Sequence, residues 1–228
     1  MRIIEICESI EEAEKDTDES NEIVKVFKQN GYNQVGSGAD ATVWAKDAGS
    51  VIKILMPDSE DITKAAFTFK KFYTFCKNNE SVACLPKFIP IQGKDYQSFQ
   101  LGTKKYLQIS MEELRPIPTL SFDEGIVWFF SDFVIHDTRW DDVNKKLLNA
   151  RIWADHNWKQ SEQYAEQWKN LTIEKRMEYR ILYMTMNLLY KTGKINKLGW
   201  DLHTENAMMR GDTIVITDPW FERYSGSL

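Results

Sequence analysis

Trp200-Asp201-Leu202-His203-Thr204-Glu205-Asn206, followed a short distance on by Thr217-Asp218-Pro219-Trp220, is the part of this 228-residue chain from which its fold is read. An Asp, an Asn five residues later and a second Asp twelve beyond that form the spacing of a phosphoryl-transfer centre. Asp201 is placed to accept the proton of an attacking hydroxyl. Asn206 and Asp218 are placed to hold Mg²⁺ on nucleotide phosphates. The intervening residues predict a hairpin: a short strand over Ala207 to Arg210, a turn at Gly211-Asp212, and a β-branched strand over Thr213 to Thr217. Such a hairpin returns Asp218 to the side of Asn206. His203 has two readings, a cation offsetting charge near a γ-phosphate and a histidine packed on the hairpin.

The first quarter of the chain carries a complementary signal. Gly36-Ser37-Gly38-Ala39-Asp40 follows Gln34-Val35 and leads into a β-rich stretch, then Val51-Ile52-Lys53-Ile54-Leu55 forms an apolar strand with one lysine in it. Glycines let backbone amides approach phosphate oxygens without a side chain in the way. A lysine within an apolar strand is costly unless a negative group meets it, and a bound phosphate is such a group. Met111-Glu112-Glu113-Leu114 ends a predicted strand. Its backbone, at Glu112 and Leu114, is a candidate for the adenine edge; a plain strand end is the alternative.

Gly31 to Gly38, Val51-Ile52-Lys53, Asp201 to Asn206 and Ile216 to Pro219, in this order, resemble the early serine/threonine protein kinases of T-seven-type bacteriophages. Those enzymes belong to the wider protein-kinase-like fold. The histidine after Asp-Leu is also similar to aminoglycoside and choline phosphotransferases. The resemblance implies an α+β, bilobal protein-kinase-like fold with a β-rich N-lobe and a reduced, mostly helical C-lobe. The division it suggests is 1–30 as a helical extension, 31–115 as the N-lobe and 116–228 as the C-lobe. It further implies ATP and Mg²⁺ as cofactors, with Gly36, Ser37, Gly38, Ala39 and Lys53 on the phosphates, and a host protein as substrate or target in the host cytoplasm. A small-molecule O-phosphotransferase and a non-catalytic, pseudokinase-type binder of a host factor are the two other functions these residues admit.

Composition narrows the classes. Hydrophobic residues make up 43% of the chain and there are eight tryptophans, which excludes a disordered chain. No apolar run reaches transmembrane length, so a soluble, cytoplasmic protein without a membrane partner is expected. Three cysteines without paired spacing suit a reducing compartment, and three scattered histidines give no zinc motif. The net charge of −5 argues against nucleic-acid binding.

Apolar spacing predicts a helix over 8–30, closed by Gly31, and another over 60–78. In a kinase the second would carry the acid that pairs with the strand lysine. Its body has no acid, so Glu60, Asp61 or another carboxylate meets Lys53, or the pair is absent. Leu85 to Ile89, Phe99 to Leu101 and Tyr106 to Met111 read as strands. Ser121-x-x-Glu124 is a capping box opening a helix, and 141–169 gives at least one more. Glu174 to Tyr190 is apolar nearly all round, which suits a buried central helix beneath the catalytic loop.

Overall fold

A computed structural model describes residues 19–37, 41–55, 63–101, 104–155 and 161–222. The chain divides into two compact units. One comprises the residues up to Phe75 together with Lys87–Glu113; the other comprises Cys76–Pro86 and everything from Leu114 onward.

The first unit is built on a five-stranded antiparallel sheet of order β1-β2-β3-β5-β4. Its strands are β1 (Asn33–Ser37), β2 (Ala41–Ala45), β3 (Ser50–Leu55), β4 (Gln97–Leu101) and β5 (Lys104–Glu112). Helix α1 (Glu19–Gln29) puts Ile23, Val26 and Phe27 against Trp44, Ile52, Ile54 and Tyr106. Side chains alternate across a strand, so Leu55, Leu107 and Ile109 face the other way and receive Ala66 and Phe69 of helix α2 (Thr63–Asn78). Gly31 ends α1 at φ +80°, with its N–H on Lys28 and that of Tyr32 on Phe27 (3.0 and 2.9 Å). This is the paired C-terminal cap that favours glycine. The predicted helix over 8–30 is described from Glu19; its earlier part lies outside the described residues.

Leu85 to Ile89 does not continue as a strand. The Leu85 carbonyl accepts from the Arg210 guanidinium at 3.0 Å, and Pro86 and Pro90 have no N–H to give a ladder. Only a single bridge, Phe88 to Met111, touches β5.

The second unit is mainly helical: α3 (Phe122–Ile135), α4 (Trp140–Leu147), α5 (Ala150–Asp155), α6 (Ser161–Lys169) and α7 (Ile173–Ile195). The capping box forms. Ser121 Oγ accepts from the Glu124 N–H at 3.1 Å, while the Glu124 carboxylate reaches back one residue further than usual, to the Leu120 N–H. Trp153 and Trp168 are fully buried with Phe129 and Phe130 on α3 and Tyr183 on α7, so these aromatics are core. Trp158 lies outside the described residues. The buried-helix expectation for α7 holds for one side only. Tyr179, Leu182, Tyr183, Met186 and Leu189 are buried, whereas Met177, Ile181, Met184 and Leu188 are exposed.

Cys76 and Cys84 are both buried, and burial pushes both thiols up from their ordinary value. The thiolate is the reactive form. Peptide mapping after mild alkylation of the native protein is therefore expected to find Cys76 and Cys84 unmodified and to find both modified after denaturation. Native labelling of either would contradict this packing. Among the described residues, no helix is long and apolar enough to cross a membrane.

Candidate phosphoryl-transfer site

The hairpin expected from sequence is present in the second unit. Strands β8 (Ala207–Arg210) and β9 (Thr213–Ile216) pair antiparallel from Ala207↔Ile216 to Arg210↔Thr213. The turn between them carries Gly211 at φ +58°, a conformation glycine adopts without a Cβ penalty. A two-residue strand β6 (Arg115–Pro116) extends the sheet, and the Arg115 guanidinium donates to the Gly211 carbonyl at 2.5 Å. On the far edge the Ile216 N–H donates to the Cys84 carbonyl at 3.0 Å.

A second pair of strands, β7 (Leu198–Trp200) and β10 (Trp220–Glu222), brackets the same region, with Trp200 opposite Trp220. Asp201 follows the first and Asp218 precedes the second. Two backbone hydrogen bonds lock the crossover on both sides of Asp218. The Thr217 N–H donates to the Asn206 carbonyl at 2.9 Å, and the Asp201 N–H donates to the Pro219 carbonyl at 2.9 Å. Residues distant in sequence are thus held in one backbone frame, with Asp218 half-buried within it.

Side chains complete the cluster. Asn206 Nδ2 lies 2.6 Å from the Asp201 carbonyl oxygen, 3.3 Å from Asp201 Oδ2 and 3.1 Å from His203 Nε2. The shortest contact fixes the amide orientation, because flipping it would set two oxygens against each other. Nδ2 is therefore the donor and Oδ1 faces elsewhere, available to a cation. The Glu205 N–H donates to His203 Nδ1 at 3.3 Å, which caps the short turn over Thr204–Asn206, and the ring's other nitrogen, Nε2, faces the Asn206 amide. His203 Nε2 stands 4.0 Å from Asp201 Oδ1, and both side chains are about half exposed (49% and 47%). His203 therefore belongs to the polar cluster and is not packed beneath the hairpin.

Three supports were not evident from sequence. The Trp200 indole N–H donates to Ser131 Oγ (2.9 Å), whose hydroxyl donates to the Leu202 carbonyl (2.8 Å). With Leu202 buried, this relay from α3 pins the loop between Asp201 and His203. The Trp220 indole donates to the Leu189 carbonyl on α7 at 3.1 Å, and a Cβ at Gly193 would lie only 2.7 Å from that indole nitrogen. Gly199 lies directly opposite Phe221, whose ring covers it; a Cβ there would meet the ring at 2.2 Å.

The remaining predicted residues belong to the first unit, except Leu114, which opens the second stretch of the other. Lys53 is half-buried in β3, between Val43 on β2 and Ile109 on β5, and alternation sets it on the sheet face shared with Leu55. The described part of α2 contains no acid, and Glu60 and Asp61 lie outside the described residues. Gly36 and Ser37 end β1 just after an irregularity in its pairing with β2; Gly38 and Ala39 lie outside the described residues. A Cβ at Gly36 would make only ordinary contact with Val43, at 3.5 Å, so strand packing does not itself demand glycine there. In the Glu112 segment the N–H groups of Glu112 and Glu113 donate to the carbonyls of Lys87 (3.0 Å) and Gly49 (3.1 Å). Leu114 is half-buried. No cluster of three or more His, Cys, Asp or Glu suited to a metal occurs among the described residues.

No family model and no curated protein matches the chain. Among solved structures it is similar to APH(2″)-IIa in a ternary complex with streptomycin and ATP, at 13% identity and a TM-score of 0.33, covering 91% of this chain and 74% of that one. It is also similar to the ADP-bound aminoglycoside phosphotransferase APH(2″)-Ib, at 13% identity and 0.34, covering 88% and 71%. A third, the spectinomycin phosphotransferase APH(9)-Ia with ADP and spectinomycin, gives 13% and 0.35, covering 84% and 64%.

Proposed function

We propose that this protein is an ATP-dependent O-phosphotransferase of protein-kinase-like fold. The observation that carries the proposal is the frame around Asp218: two backbone bonds tie its neighbours to Asn206 and Asp201, while the Asn206 amide turns its nitrogen toward Asp201 and leaves its oxygen free for a cation. In this reading the Asp201 carboxylate takes the proton of an acceptor hydroxyl as that oxygen attacks the γ-phosphorus and ADP leaves. The sequence resemblance assigns Lys53 and the segment from Gly36 to Ala39 to the phosphates. The Leu114 amide meets the adenine edge, since those of Glu112 and Glu113 are already engaged. Asn206 and Asp218 fit Mg²⁺, an oxygen-seeking cation usually held by few protein ligands together with substrate phosphates and water. It would neutralise charge on the phosphates.

A small-molecule hydroxyl is the acceptor we favour, because His203, in the Asp-Leu-His order of small-molecule phosphotransferases, sits within hydrogen-bonding distance of Asn206 beside Asp201. The specific observation behind the second reading, a protein kinase acting on host proteins, is the run from Gly31 to Gly38. Incubation with γ-labelled ATP, first with a panel of hydroxylated small molecules and then with cell lysate, separates the two. Label on a small molecule supports the first acceptor and label on protein bands supports the second. Absence of any transferred label contradicts both and favours a binding protein.

A further inference from the structure

Helix α7 has two apolar faces, and the fold uses one. Met177 (46% exposed), Ile181 (46%), Met184 (55%) and Leu188 (50%) line the outer face at alternating spacings of four and three residues. A surface helix of a globular unit needs a single buried stripe. A second stripe at a 3.5-residue period is the seam of a helix pair. We infer that this face pairs with α7 of a second copy of the chain, the two helices running antiparallel.

The charges at the ends of the seam select that occupant and direction. Seven-residue periodicity continues the stripe to Glu174 on one side and Lys191 on the other, both exposed. A twofold axis between Leu182 and Tyr183 sets Ile181 against Met184 of the other copy, Met177 against Leu188, and Glu174 against Lys191. Apolar residues thus meet apolar residues, and opposite charges close each end. A parallel pair would set Glu174 against itself and Lys191 against itself. Lys191 now lies 3.4 Å from Asp137, but both side chains are well exposed (58% and 77%), and such a pair is weak enough to yield.

The 23-residue helix is about 35 Å long, and one helix pair covers less than the roughly 1,200–2,000 Å² of a stable interface. The dimer therefore falls in the weak, transient class of interfaces. This inference does not depend on the phosphotransfer reading.

Sedimentation equilibrium of the full chain through the micromolar range tests it. Wild type is expected to dimerise, and Met184→Glu to remain monomeric with unchanged helicity and the melting temperature that wild type shows when dilute enough to be monomeric. Glu174→Lys and Lys191→Glu should each weaken the dimer about tenfold, and the double exchange should restore it to within about threefold of wild type. The melting temperature of each variant monitors the local effect at Asp137. A wild-type monomer at every concentration, which would leave the face for a different partner, overturns the inference. So does a dimer indifferent to Met184→Glu, or a double exchange as weak as the single ones.

Discussion

Asp201→Asn lowers phosphoryl-transfer turnover by about 10²–10⁴-fold, equivalent to roughly 3–5 kcal/mol of barrier, and leaves nucleotide affinity within about threefold. The substitution is nearly isosteric. The Asp201 backbone keeps its bond to Pro219 and its carbonyl keeps the Asn206 amide, so the frame around Asp218 persists. Only the carboxylate that accepts the hydroxyl proton is lost. Single-turnover transfer of labelled phosphate, with a parallel nucleotide-binding titration, checks both halves. Undiminished turnover would remove Asp201 from the role of base. Equal loss of binding and turnover would mean that the loop itself had moved.

The largest expected effect on stability is at Trp153, where replacement by Ala costs about 3–5 kcal/mol. Trp153 is fully buried, edge-on to Phe129 at 4.7 Å, stacked on Phe122 at 5.6 Å and against Tyr164 at 5.2 Å. Its indole also donates to the Leu147 carbonyl at 2.9 Å, so truncation leaves a cavity and an unpaired buried acceptor together. Denaturant unfolding followed by far-UV dichroism measures the loss. A cost under about 1 kcal/mol would mean that this cluster is not the core of the helical unit, because surface positions behave that way.

The parts of the site that sequence made legible are local. Gly211-Asp212 between two β-rich segments specifies a hairpin whatever surrounds it, and once the hairpin forms, Asp218 must return toward Asn206. Gly31 and Ser121 likewise announce helix ends through backbone conformation and short-range hydrogen bonds. What sequence did not reveal depends on contacts between distant residues. The Ser131 hydroxyl joins Trp200 to Leu202 across about seventy positions, and nothing in the α3 sequence marks that serine. Leu85 to Ile89 has the composition of a strand, but Arg210, from the far end of the chain, claims the Leu85 carbonyl. For α7, composition showed apolar residues nearly all round; which of them are buried is decided by the neighbouring helices, which cover Tyr183 and Met186 and leave Met184 and Leu188 open.

The most direct test of the phosphotransfer account is the melting temperature of wild type and Asp218→Ala across a Mg-ATP titration. Binding to the native state alone stabilises by about 2.7 kcal/mol at a hundredfold excess over Kd, or roughly 5–11 °C for a chain of this size. The account predicts that rise for wild type over its own nucleotide-free value, and little rise for Asp218→Ala over its own nucleotide-free value. A wild-type protein that Mg-ATP does not stabilise, or an Asp218→Ala variant stabilised to the same extent, contradicts it.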